Sequence, residues 1–264
     1  MYSAREKLHR IGMIVPSSST TVETEIPELL RRQQLAGAHR FTFQSARLRL
    51  QQVTAEALQK MNSAADGAVD MLCDAQVDAI LYACLVAVMV GGRRGILQMQ
   101  ARMVGRAAAT DRTPPAVITS AGALVGALRS LKAARISMIT PYRKELTAHV
   151  SATLAEFGVD VVQSRSLEVV DNAQVGRLDP NKLLAIASQM DFSGSDALVI
   201  SACVEMPSLS VIEEAERRFG LPVLSAATAS AHDLLGRLGI EPQIDDAGTL
   251  LRSHDRSHRQ MVFS

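Results

Sequence analysis

Tryptophan is absent from this chain, and aromatic residues make up only 3% of its 264 residues. Proteins that bind single-stranded nucleic acid stack bases on aromatic side chains, so this composition argues against that class. An excess of one charge is lacking too, because 28 Lys and Arg residues balance 27 Asp and Glu residues. A balanced chain creates no global field that attracts nucleic acid or an anionic membrane. We expect neither as a partner.

Long hydrophobic runs and cysteines are also scarce. The longest apolar run, from Ala79 to Val90, is well short of the roughly 20 residues that span a bilayer. A cationic start followed by a hydrophobic segment would indicate export, and this pattern is not seen in the sequence. Three cysteines are an odd and low number, which argues against a disulfide framework and fits a reducing compartment. We expect a cytoplasmic protein without membrane contact.

Short apolar runs alternate with helical patterns along the chain. Such alternation predicts an α/β fold, with parallel strands buried between helices on both faces of a sheet. The predicted strands span residues 11–15, 39–48, 77–83 and 116–119 in the first half, and 135–140, 159–163, 197–202 and 223–225 in the second. Helices are predicted from about residue 24, over 54–75, from near 84 with a break at 91–95, and over 121–131.

The two halves of the chain repeat one another. DAILYAC at 78–84 is matched by DALVISAC at 196–203, and RIGMIVP at 10–16 by RISMITP at 135–141. Two weaker matches, QS at 44–45 with 163–164 and PAVITS at 115–120 with PVLSA at 222–226, keep the same order, which favours duplication. We predict two pseudo-symmetric Rossmann-like lobes, each a mostly parallel four-stranded sheet flanked by helices, with the active site in the cleft between them. The first lobe comprises residues 1–113 and 226–264, and the second comprises 114–225.

Cys84 and Cys203 end the matching phrases, each at the end of a predicted parallel strand. Ligands of open α/β sheets bind beyond the carboxyl ends of the strands, so both thiols are candidates for nucleophile and acid, or for acid and base. A helix that begins near Cys84 would favour the thiolate and lower the pKa of that thiol. The alternative is a buried structural cysteine. Cys73, inside a helix and without a counterpart, is expected to be such a core residue.

Polar loops follow the first strand of each half. Hydroxyl and N–H groups at 17–21 could hold a carboxylate, although an ordinary loop before a helix has the same composition. Its counterpart is Pro141-Tyr142, and Asn172 is either a turn former or an amide donor. The glycines at 91, 92 and 95 do not follow a strand in the dinucleotide pattern, so no nucleotide cofactor is expected. His254 and His258 have helical spacing without the context of a metal site, and no metal is expected.

Five segments of this chain resemble the aspartate/glutamate racemase superfamily, and within it they are most similar to the maleate cis–trans isomerases. They are residues 15–25, 40–43, 82–87, 201–209 and 223–228. Amino-acid racemases of the superfamily tend to carry Cys-Asn-Thr and Cys-Thr-Glu, whereas this chain has Cys-Leu-Val and Cys-Val-Glu. Arylmalonate decarboxylases keep only one of the two cysteines, and this chain has both.

The resemblance implies a cofactor-independent enzyme that converts maleate, a small dicarboxylate, to fumarate. Cys84 would attack the alkene to give a covalent succinyl-cysteine, Cys203 would move the proton, and a lid would exclude water. The implied substrate-binding groups are Ser19, Tyr142, Asn172 and the backbone N–H groups of Leu85, Val86, Val204 and Glu205. A homodimer is also implied. Ser19 departs from the family, which usually has Asn there, and so puts substrate range and activity in question.

Two other functions remain open from the residues alone. An amino-acid or hydroxy-acid racemase or epimerase could use two thiols on opposite faces of a carbon acid. A two-lobed ligand-binding protein would need neither thiol, and Cys84→Ala or Cys203→Ala would then leave its function unchanged.

Overall fold

Two four-stranded parallel sheets organise the computed structural model, which describes residues 7–109 and 113–252. The first sheet has the strand order β2-β1-β3-β4 and the second has the order β6-β5-β7-β8, and every pairing is parallel. The predicted fold class is confirmed. The strands are β1 (Lys7–Pro16), β2 (His39–Leu48), β3 (Ala79–Tyr82), β4 (Ala116–Thr119), β5 (Arg135–Thr140), β6 (Asp160–Ser166), β7 (Ala197–Ser201) and β8 (Val223–Ser225).

Helices connect the strands and cover the sheets. Every residue of β3 and β7 is buried, as expected for central strands with helices on both faces. No helix within the described ranges is long and apolar enough to cross a membrane. The helices are α1 (Val22–Ala36), α2 (Ala55–Ser63), α3 (Ala65–Asp74), α4 (Leu85–Met89), α5 (Gly92–Ala108), α6 (Ser120–Ser130), α7 (Lys144–Ala155), α8 (Asn172–Val175), α9 (Pro180–Ala187), α10 (Leu209–Phe219) and α11 (Ala226–Arg237), followed by a 3-10 helix (Thr249–Leu251).

Two predicted helices are broken in the structure. The segment 54–75 forms α2 and α3 instead of one helix. The segment after Cys84 forms α4 and α5, separated at the glycine cluster that was predicted to interrupt it. Gly92 has a φ of +61°, which favours glycine, and a Cβ on Gly91 would lie 2.8 Å from the Cα of Gly95. The close approach of these backbones therefore requires glycine.

Equivalent hydrogen bonds occur in the two repeated halves. The N–H of Arg10 donates to Asp78 Oδ2 at 2.7 Å, and the N–H of Arg135 donates to Asp196 Oδ2 at 2.7 Å. These two aspartates open the repeated phrases, so each carboxylate fixes the start of a central strand against its neighbour. Thr119 and Ser225 likewise cap the helices that follow β4 and β8.

The predicted lobe boundary differs from the sheet pairing at one strand. The prediction placed residues 114–225 in the second lobe, but β4 pairs with β3 and completes the first sheet. The prolines at 114 and 115 therefore precede an edge strand of the first sheet and do not mark a change of lobe. After β8 the chain returns, and α11 packs against α1, β3 and β4. Residues 253–264, with His254 and His258, lie outside the described part of the chain.

Candidate active site

Cys84 lies just beyond the end of β3, at the N-cap position of α4, and is buried. A chain of hydrogen bonds fixes this turn to α2. The hydroxyl of Tyr82 donates to Asn62 Oδ1 at 2.7 Å, and Asn62 Nδ2 donates to the carbonyl of Ala87 at 2.7 Å. The sulfur is thus held between a fully buried strand and a short helix.

Cys203 occupies the equivalent position beyond the end of β7 and is also buried. The hydroxyl of Ser201 lies 2.8 Å from the carbonyl of Cys203 and 2.9 Å from that of Met206, and so holds the turn closed. The hydroxyl of Tyr142 donates to the carbonyl of Ala202 at 3.2 Å. Tyr142 follows β5, so two neighbouring strands of the second sheet determine the position of this sulfur.

Both sulfurs line one small cavity between the two sheets, with a volume of about 20 Å³. The nine residues that the sequence singled out all contribute to its wall, although their roles in catalysis and binding stay predictions. Pro16, Leu50, Val53 and Ala83 also line it and were not predicted. The predicted residues are Ser19, Cys84, Leu85, Val86, Tyr142, Asn172, Cys203, Val204 and Glu205.

Two loops from opposite sides close the cleft over the cysteines. The loop after β2 and the loop after β6 meet in an antiparallel bridge between Gln52 and Asp171. A larger outer cavity of about 570 Å³ lies next to them and shares Val53, Tyr142 and Asn172 with the inner one. Leu50 and Val53 were not predicted, because the contact between the two loops joins residues far apart in the chain. The repeat of the two halves could have shown that these loops occupy equivalent positions.

The loop after β1 is held from two sides. Arg47 Nη2 donates to the carbonyls of Ser17 and Ser19, at 3.1 and 2.6 Å. On the other side of this loop, the N–H groups of Thr20 and Thr21 donate to the carboxylate of Glu205. Glu205 was predicted for its backbone N–H, and its side-chain contact with the opposite lobe was not foreseen.

Burial dominates the protonation of Cys84. It raises the pKa of this thiol to about 12. The charge of Cys203 raises the pKa further, whereas the N–H of Ala87 lowers it. The predicted lowering of the Cys84 pKa is therefore wrong for the closed cleft. The helix α4 has only five residues, and desolvation of the charged form outweighs its few N–H groups.

Cys203 has more hydrogen-bond donors than Cys84. Burial raises the pKa of the Cys203 thiol, while the Tyr142 hydroxyl and the N–H groups of Glu205 and Met206 lower it. Burial also raises the pKa of Tyr142 well above its ordinary value, so this hydroxyl stays protonated and able to donate. A thiolate formed at Cys203 during a reaction would therefore be stabilised by hydrogen bonds.

Cys73 and Arg93 lie away from this cavity. Cys73 is half-buried in α3 and packs against the core, as predicted. The N–H of Arg93 donates to Glu156 Oε2 at 3.0 Å, and its guanidinium lies over the ring of Phe157. Arg93 therefore belongs to the contact between α5 and α7.

Comparison with known proteins identifies the family. The family model for arylmalonate decarboxylase matches residues 11–251. A maleate isomerase of Geobacillus stearothermophilus is 45% identical over 246 residues, covering 93% of this chain and 98% of that protein. The chain belongs to the arylmalonate decarboxylase family and, within it, to the maleate isomerases. The predicted resemblance is confirmed.

Solved structures of maleate isomerases share this fold over nearly their whole length. A cysteine-to-alanine variant of the Pseudomonas putida enzyme with maleate has a TM-score of 0.91 at 41% identity, covering 93% of this chain and 98% of that one. A cysteine-to-serine variant of the Nocardia farcinica enzyme with a covalently bound succinylcysteine intermediate has a TM-score of 0.89 at 44% identity, covering 93% and 99%.

Proposed function

We propose that this protein is a maleate isomerase, which converts maleate to fumarate without a cofactor through a covalent succinyl-cysteine. The observation that carries the proposal is the pair of thiols at equivalent strand ends, facing one closed cavity. The maleate isomerases to which the chain is similar support the substrate, and the succinylcysteine of the Nocardia farcinica variant supports the covalent route.

The first step is addition to the double bond. Cys84, entering as the thiolate, forms a carbon–sulfur bond to one alkene carbon. The Cys203 thiol gives its proton to the other alkene carbon and becomes the thiolate, which the Tyr142 hydroxyl stabilises. Because both thiol pKa values are raised in the closed cleft, we propose that Cys84 gives its proton to solvent water while the cleft is open, before the cleft closes over the substrate.

Rotation and elimination complete the reaction. The former double bond is a single bond in the succinyl adduct, so the two carboxylates can turn from cis to trans. Cys203 then takes a proton back from the carbon that received one, the carbon–sulfur bond breaks, and the Cys84 thiolate is restored. Atoms and charge balance, and the enzyme returns to its starting protonation state.

Negative charge grows on a substrate carboxylate during addition, so preorganised donors should lower the barrier. We assign this role to Ser19, Tyr142 and Asn172, with the backbone N–H groups of Leu85, Val86, Val204 and Glu205. All of them line the inner cavity. Such donors act more strongly in a cleft from which water is excluded.

Proton NMR of the purified protein with maleate tests the activity. We expect the maleate alkene signal to be replaced by that of fumarate, and Cys84→Ala and Cys203→Ala to abolish the change. The matched control is Cys73→Ala, outside the cavity, which should retain activity. Inversion of an amino acid or hydroxy acid without any alkene turnover would favour the racemase alternative and contradict the proposal.

We further propose a homodimer. Leu97, Ala101 and Val104 form an exposed apolar stripe on α5, and 53% of Leu97 is accessible. A second copy of the chain would cover this stripe. Leu97→Glu should then yield a monomer in analytical ultracentrifugation, whereas Leu35→Glu on α1, where 78% of Leu35 is exposed, should leave the mass unchanged. An unchanged mass for Leu97→Glu would contradict this interface.

We also propose a cytoplasmic location, which the three free cysteines support. A thiol-dependent mechanism needs a compartment that keeps thiols reduced. Cell fractionation with detection of the intact chain tests it, and recovery outside the cytoplasm would contradict it.

A further inference from the structure

Each lobe sends a glutamate to the start of a helix in the other lobe. Glu25, on α1 of the first lobe, accepts hydrogen bonds from the N–H groups of Ser208 and Leu209 at 2.6 and 2.7 Å, where α10 begins. Glu205, just before α10 in the second lobe, accepts from Thr20 and Thr21 just before α1. These distances are 3.0 and 2.8 Å from the Thr20 N–H to the two carboxylate oxygens, and 3.0 Å from the Thr21 N–H. We call Glu25 and Glu205 the glutamate pair.

Both side chains of the glutamate pair are buried, with 8% of Glu25 and 2% of Glu205 exposed. Burial raises the pKa of each carboxyl, and the charge of Glu205 raises that of Glu25 further. Buried carboxylates cost free energy unless their hydrogen bonds are satisfied. The glutamate pair accepts these hydrogen bonds from backbone N–H groups of the opposite lobe, so each side chain fixes the contact between the two lobes.

The space around Glu205 is reserved for its carboxylate. Gly176, just after α8, faces it, and a Cβ at this position would overlap Glu205 Oε1 and lie 3.1 Å from Thr20 Oγ1. The hydroxyl of Thr20 also lies 3.3 Å from Oε1. One carboxylate is therefore contacted by three segments: the loop before α1, the turn before α10 and the end of α8.

Glu205 connects two parts of the inner cavity. Its side chain holds Thr20 and Thr21, directly after Ser19, which lines the cavity. Its backbone lies two residues after Cys203, and its N–H lowers the pKa of that thiol. One residue thereby ties the carboxylate-binding loop of the first lobe to the proton-transferring thiol of the second.

We propose that Glu205 is a positioning residue for the isomerisation, with Glu25 bracing the same contact from the opposite lobe. It sets the distance between Ser19 and Cys203, and hence the position of the substrate relative to the thiol that moves the proton. This proposal rests on the proposed function. It predicts that displacing the carboxylate, without changing any group that touches the substrate, lowers turnover.

Gly176→Ala provides this displacement, because the added methyl must push Glu205 aside. Small misplacements of reacting groups can cost about 100-fold, so we expect kcat/KM for maleate to fall about 10- to 100-fold, with most of the loss in kcat. Gly126→Ala on α6 is the matched control, since a Cβ there meets no atom within 4 Å. Its kcat/KM should equal that of the unmodified protein.

A double variant separates positioning from a general loss of stability. Glu205→Asp shortens the side chain and leaves room for the methyl, so adding Gly176→Ala to Glu205→Asp should lower kcat/KM by less than about threefold. Kinetic constants are taken per folded molecule, with folding checked by circular dichroism. Full activity of Gly176→Ala, or additive losses in the double variant, would overturn the proposal.

Glu205→Gln is the second variant, in case Gly176→Ala does not fold. Its amide nitrogen must face one of the N–H groups that now donate to the carboxylate, so kcat should fall at least about tenfold with the fold retained. Turnover equal to the unmodified protein would overturn the proposal. Absence of maleate turnover in the unmodified protein and in Gly126→Ala would instead contradict the proposed function.

Discussion

Asn172 Nδ2 donates a hydrogen bond to Ser18 Oγ across the cleft, at a distance of 2.8 Å. Asn172 begins α8 in the second lobe, and Ser18 belongs to the loop after β1 in the first. Together with the bridge between Gln52 and Asp171, this contact closes the cleft over both thiols. The amide of Asn172, which we propose binds the substrate, is therefore engaged by Ser18 in the closed structure, and a substrate carboxylate would have to compete for it.

Removing this amide should weaken the site. We expect Asn172→Ala to lower kcat/KM for maleate by about 10- to 100-fold, since a hydrogen bond to a charged group contributes about 1.5–3 kcal/mol. Steady-state kinetics measures this effect. Asn181→Ala, at an exposed position on α9, is the control and should have the kinetics of the unmodified protein. Equal constants for both variants would contradict a binding role for Asn172.

The Tyr142 hydroxyl should control the acidity of Cys203. This hydroxyl donates to the carbonyl of Ala202 in the closed structure and can turn its proton toward the neighbouring sulfur, which lowers the pKa of the Cys203 thiol. Tyr142→Phe should therefore raise that pKa and shift alkylation of Cys203 by iodoacetamide to higher pH. The same loss should lower kcat by about tenfold or more, because the thiolate formed in the first step loses a donor. Peptide mass mapping of alkylation against pH measures the shift, and an unmoved profile would refute this role.

Glu25 should make stability depend on pH. Burial raises its pKa in the folded protein above the unfolded value, so the folded state binds more protons in the window between the two. The contribution is therefore favourable below that window and is lost as the pH rises through the folded pKa. We expect the free energy of unfolding of the unmodified protein, relative to Glu25→Gln, to decrease as the pH rises above the ordinary pKa of a glutamate. Urea unfolding at several pH values measures this difference, and a difference that stays flat or increases would contradict the shift.

Much of the fold followed from local patterns. The strands β2, β4, β5 and β8 have the bounds predicted from the sequence. The repeat placed Cys84 and Cys203 at equivalent strand ends, and topology then brings both to one cavity. This inference needs no knowledge of which side chains touch, only that the carboxyl ends of parallel strands point the same way.

What the sequence missed depends on tertiary contacts. The predicted boundary separated β4 from the first sheet, although the match of 115–120 with 222–226 makes β4 the counterpart of β8. Its pairing with β3 places it in the first sheet. The pKa of Cys84 depends on its burial in the folded protein, which outweighs the N–H groups of the helix that follows it. The contact of Glu205 with Thr20 joins residues far apart in the chain, and each residue read alone is an ordinary loop residue.

Mass spectrometry of the protein after exposure to maleate shows directly whether Cys84 is the nucleophile. In Cys203→Ser, the serine hydroxyl or water can still give the proton that completes the addition of Cys84, but serine lacks a thiolate to take the proton back, so elimination is slowed and the adduct should accumulate. We expect one added maleate unit on the peptide that contains Cys84, both in Cys203→Ser and in the double variant Cys203→Ser with Cys73→Ala. An adduct confined to Cys73, or turnover of maleate by Cys84→Ala, would contradict this role of Cys84.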